Sequence, residues 1–264
     1  MLLAIDIGNT TASAGLVRKT ENGFETEKKI SIPSDTGDES GSLSSLIAEA
    51  LGVSGREIEG AVLCSVVPRL AGRLTEAVEI LTGKSPLIIT KDTIEGFSSS
   101  EADLVSVGRD RLVDAAYAAA ILPCPILTVD MGTATTFNVI GEGRVFLGGM
   151  ISCGLNTGLW ALHAKTAQLP ELLPEKTEAL VGRVTKECMQ SGAVFGQAAM
   201  IDGFAGRVER LLGREVSLVI TGGWSEDVEG KVLHPHLYEP ELMMKGLAYQ
   251  YFLKKGLDGG KLIR

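Results

Sequence analysis

Two short Asp-x-Gly sequences are the strongest candidates for chemistry in this chain. Asp6 and Gly8 follow one apolar segment, and Asp130 and Gly132 stand at the equivalent positions of a second, similar segment. A glycine-bearing turn between strands exposes backbone N–H groups to a polyphosphate, and a neighbouring carboxylate can hold a metal ion beside the same phosphates. One such turn alone is typical of a simple hairpin. Two equivalent copies favour a pair of turns that face one nucleotide.

A second candidate is the sequence Gly-Arg-Asp-Arg at residues 108–111, where a helix is predicted to begin. Asp110 at this position could cap the helix and interact with its dipole. The same carboxylate could instead accept the proton of a substrate hydroxyl, while Arg111 binds a substrate carboxylate bidentately. The local sequence leaves both interpretations open.

Further glycines indicate places where a backbone approaches a ligand closely. Thr221, Gly222 and Gly223 follow an apolar segment that predicts a buried strand, and glycines there would let the chain lie against a flat base. A plain turn explains this fragment equally well. The glycines at 148, 149 and 154 suggest close approach without chemistry of their own.

The elements that position these residues follow an alternating α/β pattern. Residues 3–10 return in similar form as residues 127–134, which predicts a strand–turn–strand unit used twice. The other predicted strands are 61–67, 87–90 and 216–221. The predicted helices are 69–81, which Pro68 precedes, 110–122, 185–212 and 240–255. A hairpin tip is predicted at 142–143, and loops are predicted at 33–45 and 98–100. Trp160 and Leu162 are predicted to be packing positions. Two similar α/β domains, 1–117 and 118–264, are the economical interpretation.

Composition excludes several classes of function. The chain has 264 residues with 33 Asp and Glu against 25 Lys and Arg, so its net charge is −8. An acidic chain without an extended basic run is a poor binder of nucleic acids. Its longest apolar stretch, 115–129, contains Pro123 and Pro125 and is too short to span a membrane. Four cysteines without a CxxC pair are typical of a reducing compartment. We therefore expect a cytoplasmic protein that binds neither nucleic acid nor membrane.

Taken together, the motifs resemble those of type III pantothenate kinases, within the acetate-kinase/sugar-kinase/Hsp70/actin superfamily. The resemblance runs nearly end to end and rests on residues 6–10, 108–111, 130–136, 148–149, 166–170 and 221–223. It implies two ribonuclease-H-like domains with ATP in the interdomain cleft, and a homodimer. It also implies phosphorylation of the primary hydroxyl of pantothenate, the first step towards coenzyme A, with Mg²⁺ and a monovalent cation (K⁺ or NH₄⁺).

The resemblance also implies roles for individual residues. Asp110 is implied as the general base on the pantothenate hydroxyl and Asp130 as the ligand of the monovalent cation. The residues matched to the pantothenate site are Gly108, Arg109, Arg111 and Thr185. Among them, Arg111 would bind the pantothenate carboxylate and Thr185 would lie near the dimer interface. The residues matched to ATP binding are Asp6, Ile7, Gly8, Asn9, Thr10, Thr11, Ala12, Ser13 and Thr133, with Asp6 also the candidate ligand of Mg²⁺.

Three positions depart from the family pattern. The family usually carries a lysine shortly after the first turn, where this chain has Ser13, and Arg109 or a neighbouring chain could replace that charge. A tyrosine and an Asn-Pro pair are absent from residues 97–107, and Cys153 replaces a proline. Two alternatives therefore stay open: a non-catalytic nucleotide- or metabolite-binding relative, and a kinase for another small hydroxyl acceptor.

Overall fold

The computed structural model describes residues 1–34, 39–99, 104 and 106–256. The chain forms two compact units, each with its own sheet. Unit 1 comprises Met1–Phe97, Asp103–Ile121 and Glu241–Arg264, and unit 2 comprises Ser98–Ala102 and Leu122–Pro240. The predicted domain limits at 1–117 and 118–264 stay a prediction.

Strands and helices alternate along most of the chain. The strands are β1 Leu2–Ile7, β2 Thr11–Thr20, β3 Gly23–Pro33, β4 Gly60–Ser65, β5 Leu87–Ile88, β6 Ser98–Ser99, β7 Ile126–Met131, β8 Ala134–Gly141, β9 Val145–Cys153, β10 Ser217–Thr221 and β11 His236–Tyr238. The helices are α1 Ser40–Leu51, α2 Pro68–Thr82, α3 Arg109–Ile121, α4 Leu155–Lys165, α5 Thr185–Leu212 and α6 Leu242–Lys254. Pro68 begins α2, as predicted, because its missing N–H costs nothing at a first helical position.

The two sheets share one topology. In unit 1 the spatial order is β3-β2-β1-β4-β5, and in unit 2 it is β9-β8-β7-β10-β11 with β6 added beside β9. In both, three strands form an antiparallel meander, and two further strands continue the sheet parallel to the first. The repeat read from the sequence is thus confirmed, and the fold is α/β with two related sheets.

The core of unit 1 covers one face of β1. Leu3, Ile5 and Ile7 belong to one cluster with apolar residues of α1 and α2. Side chains alternate between the two faces of a strand, so Asp6 lies on the opposite face. Helices α3 and α6 pack against each other and against β4, and α6 also packs against β1.

The core of unit 2 is built in the same way. Leu127, Val129 and Met131 of β7 pack against α5, whose contributing residues are Val194, Ala198, Ile201, Ala205 and Val208. Asp130 therefore lies on the face of β7 opposite to α5. No helix in the described ranges is both long and apolar enough to cross a membrane.

Some local predictions were wrong. The predicted loop 33–45 includes the end of β3 and the start of α1, and residues 35–38 lie outside the described residues. The predicted loop 98–100 begins with β6, which pairs with Val145 and Phe146 of β9, and Ser100 is not described. Trp160 and Leu162 are 57% and 44% exposed rather than packed in a core.

The close approach of α6 to α3 gives a stability prediction. A Cβ on Gly246 would lie 2.8 Å from Val113 Cγ1 and 3.2 Å from the Val113 carbonyl oxygen, so Gly246→Ala forces the two helices apart. We expect a loss of about 1–3 kcal/mol, seen as a lower unfolding temperature by thermal denaturation. Gly206→Ala in α5 is the matched control because its Cβ meets only Arg210 Nη1 at 3.8 Å. Gly206→Ala should leave the unfolding temperature unchanged or raise it, and equal losses in both variants would contradict the prediction.

Candidate active site

The first Asp-x-Gly turn is a tight connection between β1 and β2. The Gly8 N–H donates to the Thr11 carbonyl at 3.1 Å, and a Cβ on Gly8 would lie 3.1 Å from the same oxygen. Ser34 fixes the turn from outside, since its hydroxyl donates to the Gly8 carbonyl at 2.7 Å and its N–H donates to the Thr10 carbonyl at 3.0 Å. The turn is therefore held in shape before any ligand binds.

The residues matched to ATP binding divide into exposed and buried positions. Asn9, Thr10 and Thr11 are exposed and line a depression of about 580 Å³ together with Ser31 and Pro33. The side chains of Ile7 and Ala12 belong to the hydrophobic core, so only their backbone groups can face a ligand. Ser13 pairs with Asp6 across β1 and β2.

The thiol of Cys64 shows how the charged groups of unit 1 converge. Cys64 lies beside Asp6 in the register of β1 and β4. Burial raises the pKa of this thiol well above its usual range, the charges of Asp6 and Asp110 raise it further, and Arg109 lowers it. Each of these groups must lie within electrostatic reach of one sulfur atom. Asp6 and the start of α3 are thus brought together within unit 1.

The Asp110 side chain folds back over Gly108. A Cβ on Gly108 would lie 2.3 Å from Asp110 Oδ1, which explains the glycine. Asp110 Oδ1 is buried, and within the described residues it accepts no hydrogen bond. A buried acceptor without a donor costs about 1–3 kcal/mol. Oδ1 therefore caps no N–H of α3, and a buried acceptor without a donor is one feature of functional positions.

The two arginines beside Asp110 differ in their surroundings. Arg109 Nη1 donates to the Ser65 carbonyl at 3.1 Å, which joins α3 to the end of β4. Burial lowers the pKa of the Arg111 guanidinium, and the neighbouring Asp110 carboxylate opposes that shift. A partly desolvated guanidinium binds a carboxylate more strongly than an exposed one does.

The second Asp-x-Gly turn is shorter than the first by one residue. The Gly132 N–H donates to the Ala134 carbonyl at 3.1 Å, and Asp130 pairs with Thr136 across β7 and β8. The Thr136 hydroxyl oxygen is buried and has no hydrogen-bond partner among the described residues. A carboxylate and a hydroxyl therefore stand on neighbouring strands, as Asp6 and Ser13 do in unit 1.

Two further segments pack against the second turn, the residue that follows β10 and the start of α4. Gly222, at the end of β10, has φ +99°, and a Cβ there would lie 2.4 Å from Asp130 Oδ1. A Cβ on Gly154 would lie 2.4 Å from the Thr133 carbonyl, which also accepts a hydrogen bond from the Thr157 hydroxyl at 2.7 Å. The glycines singled out at 154 and 222 are thus explained by close backbone packing around Asp130 and Thr133.

Thr185 lies at the start of α5, on a cavity of unit 2. The cavity has a volume of about 940 Å³ between α4 and α5, and its walls include Gly154, Arg183, Thr185 and Gln197. Gln197 accepts a hydrogen bond from the Thr135 hydroxyl at 2.9 Å and donates to the Cys153 carbonyl at 2.8 Å. One wall of the cavity is therefore continuous with the second turn.

Sequence reasoning missed two polar residues beside these sites. Asp114 is 4% exposed, lies one helical turn after Asp110 and acts electrostatically on Cys64; the only signal was a lone carboxylate in an alanine-rich segment. Gln197 had no signal, because its partners come from distant strands. Among the residues that the structure describes, no three His, Cys, Asp or Glu side chains form a group that could hold a metal ion.

Gly222 and Gly223 provide a matched test of the second turn. Gly222→Ala would place a Cβ 2.3 Å from the Met131 nitrogen in a backbone conformation that favours glycine, whereas a Cβ on Gly223 meets nothing within 4 Å. We expect Gly222→Ala to cost about 3 kcal/mol or more by thermal denaturation. Gly223→Ala should change stability by less than about 1 kcal/mol. Similar unfolding temperatures for the two variants would refute the packing of Gly222 against Asp130.

Comparisons with known proteins show which family the chain belongs to. The sequence model of the type III pantothenate kinase family matches residues 2–207. The chain is 34% identical over 254 residues to the type III pantothenate kinase of Moorella thermoacetica, covering 95% of this chain and 98% of that protein. It is 32% identical over 257 residues to the type III pantothenate kinase of Dehalococcoides mccartyi, covering 95% and 96% of the two chains.

A solved structure shares the fold. A Campylobacter jejuni protein named for the Baf family of transcriptional activators superposes with a TM-score of 0.58 at 18% identity, covering 97% of this chain and all of that one. At this identity the likeness concerns the fold alone. The family match and the curated relatives span most of the chain and confirm the resemblance seen in its motifs. The chain belongs to the type III pantothenate kinase family.

Proposed function

We propose that this chain transfers the γ-phosphoryl group of ATP to the primary hydroxyl of pantothenate, producing 4′-phosphopantothenate in the first step of coenzyme A biosynthesis. Family membership supports the reaction. The observation that assigns it to particular residues is that Arg109, next to Asp110, is hydrogen-bonded to Ser65 at the end of β4, beside the end of β1 where Asp6 lies. We place the reaction in the cytoplasm, where ATP is available and the four free cysteines stay reduced.

Asp110 is the proposed general base. Its carboxylate takes the proton of the pantothenate hydroxyl, and the hydroxyl oxygen forms a bond to the γ-phosphorus. The bond between that phosphorus and the β–γ bridging oxygen breaks, and ADP leaves with the electron pair. Arg111 binds the pantothenate carboxylate, for which its partly buried guanidinium is suited. Gly108 contributes by leaving room for the Asp110 side chain.

The ATP side is assigned to the two turns. Asn9, Thr10 and Thr11 are exposed, and their N–H and hydroxyl groups can donate to phosphate oxygens, with Ser13 following on β2. Thr133 is the proposed contact from the second turn. Because phosphoryl transfer depends on positioning and charge stabilisation, pre-shaped turns contribute directly to the rate.

Two cations are part of the proposal. Asp130 would hold K⁺ or NH₄⁺ and Asp6 would hold Mg²⁺, and each cation would neutralise phosphate charge when bound. The donors fit, because hard cations prefer oxygen ligands. Asp130 faces the buried Thr136 hydroxyl, and Asp6 faces Ser13.

The test is release of ADP from ATP and Mg²⁺, with and without pantothenate, in K⁺ and then in Na⁺ buffer. We expect release that requires pantothenate and is faster in K⁺. Asp110→Asn should lower kcat by about 10²–10⁴-fold, because the amide cannot accept the proton, while ATP binding measured by calorimetry survives. Asp92→Asn, at an exposed carboxylate of unit 1, is the matched control and should keep full activity.

Other outcomes separate the alternatives. ATP binding without ADP release would indicate a non-catalytic nucleotide-binding relative. The absence of the usual lysine would then be the explanation, since Ser13 takes its place beside Asp6. Release driven by a different hydroxyl compound would keep the kinase and change its acceptor. Full activity of Asp110→Asn would remove Asp110 from the mechanism.

We further propose that the chain acts as a homodimer in which Thr185 approaches the substrate site of the partner. Residues 151–184 of unit 2, a range that supplies many of the walls of the cavity that Thr185 lines, expose several apolar side chains. They are Ile151, Trp160, Leu162, Leu173, Leu180, Val181 and Val184, each between 44% and 79% exposed. Exposed apolar side chains grouped on one unit are typical of an interface with another protein chain.

Val184→Asp tests this interface. Val184 precedes the first residue of α5 and is 57% exposed; aspartate is favourable at such an N-cap, so the helix should form normally. We expect sedimentation equilibrium to show a dimer for the unmodified protein, twice the 27.9 kDa chain mass, and a monomer for Val184→Asp. Leu211→Asp, at a residue 81% exposed near the other end of α5, should remain dimeric. A dimeric Val184→Asp protein would place the interface elsewhere.

A further inference from the structure

The first turn lacks a positively charged side chain of its own. Between Gly8 and Val17 there is no lysine or arginine, and the first basic residue on β2 is Arg18. Arg18 is bound by Glu25 at 2.7 Å and Glu27 at 2.6 Å. Its charge is therefore paired with two carboxylates, and Arg18 lies towards the far end of β2, away from the turn.

Arg109 is hydrogen-bonded at the end of the strand next to β1, close to where the first turn begins. Its Nη1 donates to the carbonyl of Ser65, the last residue of β4, and Ser65 pairs with Ile7, the last residue of β1. The Val66 N–H donates to the Ile7 carbonyl at 3.0 Å, so the two strand ends are joined immediately before Gly8. The guanidinium is thus anchored where the first turn begins.

Most of the hydrogen-bonding capacity of Arg109 is still available. A guanidinium has five N–H donors in a planar fork that matches phosphate oxygens, and the described contacts use one of them. Within the part of the chain that the structure describes, no carboxylate forms an ion pair with Arg109.

The position of Arg109 is also unfavourable for the helix itself. Arg109 and Arg111 stand in the first turn of α3, where the positive end of the helix dipole disfavours cations. Two guanidinium groups there raise the local positive potential around Asp110. An anion bound at this end would turn the unfavourable charges into a favourable interaction.

We propose that Arg109 binds the γ-phosphate of ATP at the first turn and stabilises the charge on the phosphoryl group during its transfer. This rests on the proposed function and moves Arg109 from the pantothenate side of the site to the phosphate side. The Ser65 carbonyl holds the guanidinium in place, and the remaining N–H groups face the phosphate. Arg111 keeps the pantothenate carboxylate.

The first experiment needs no turnover. Binding of ADP and of a non-hydrolysable ATP analogue is measured by calorimetry for the unmodified protein, Arg109→Gln and Arg18→Gln. We expect Arg109→Gln to weaken binding of the analogue about tenfold or more while leaving ADP binding unchanged, because only the analogue carries a γ-phosphate. Arg18→Gln is the matched control and should change neither affinity. Equal weakening of both nucleotides by Arg109→Gln, or no weakening, would overturn the proposal.

Steady-state kinetics separate the two arginines. Arg109→Gln should lower kcat by about 10²–10³-fold with little change in the KM for pantothenate, Arg109→Lys should recover part of kcat, and Arg111→Gln should chiefly raise that KM. A raised pantothenate KM with normal kcat in Arg109→Gln would return Arg109 to the acceptor side. Arg109→Gln could also lower the unfolding temperature. If Arg109→Lys restored both that temperature and the full activity, the role of Arg109 would be structural, through its hydrogen bond to Ser65. An unmodified protein without turnover defeats the proposed function, whereas the nucleotide affinities still decide the role of Arg109.

Discussion

The packing of α6 against α3 is the contact on which the position of Asp110, the proposed general base, depends. Gly246 lets the two helices approach closely at Val113, on the same helix as Asp110. A row of aromatic rings continues the contact, with Phe24 5.6 Å from Phe252 and 6.1 Å from Tyr117. The last described helix thus returns to the first sheet and fixes the helix that presents Asp110. We therefore expect a change in α6 to act on the position of Asp110 in α3.

The two-residue period of the central strands then decides where the acidic residues point. In β1 and β7 the odd-numbered apolar residues enter the cores of their units, which leaves Asp6 and Asp130 on the opposite faces. Each aspartate lies one residue before the end of its strand, so it is fixed by a buried sheet yet adjacent to a turn. Rigid strands beside short turns give the precise positioning that phosphoryl transfer requires.

Much of this arrangement could be predicted from the sequence, because strong local signals agree with the tertiary fold. The helix predicted at 185–212 is observed as Thr185–Leu212, and the repeated Asp-x-Gly segments predicted the repeated sheet. Helix α1 was missed although Leu43, Ile47 and Leu51 have helical spacing, since glycine and serine around them suggested a loop. The pairing of Ser98 with Val145 could not be predicted, because the residues around Ser98 do not specify a partner so distant in the sequence. The same limit hid Gln197 and the burial of Asp114.

Charge distribution explains how an acidic protein can serve two anionic substrates. With a net charge of −8 the chain repels ATP and pantothenate at long range, but salt screens such forces beyond about 8 Å, so nearby groups decide binding. In unit 1, Arg18, Lys29 and Lys254 are paired with glutamates. The first turn of α3 instead concentrates two guanidinium groups around one carboxylate, at a helix end that already favours anions. Positive charge is therefore concentrated at the helix end where we propose that phosphate and carboxylate meet, and the carboxylate of Asp110, the proposed proton acceptor, lies between the two arginines in the sequence.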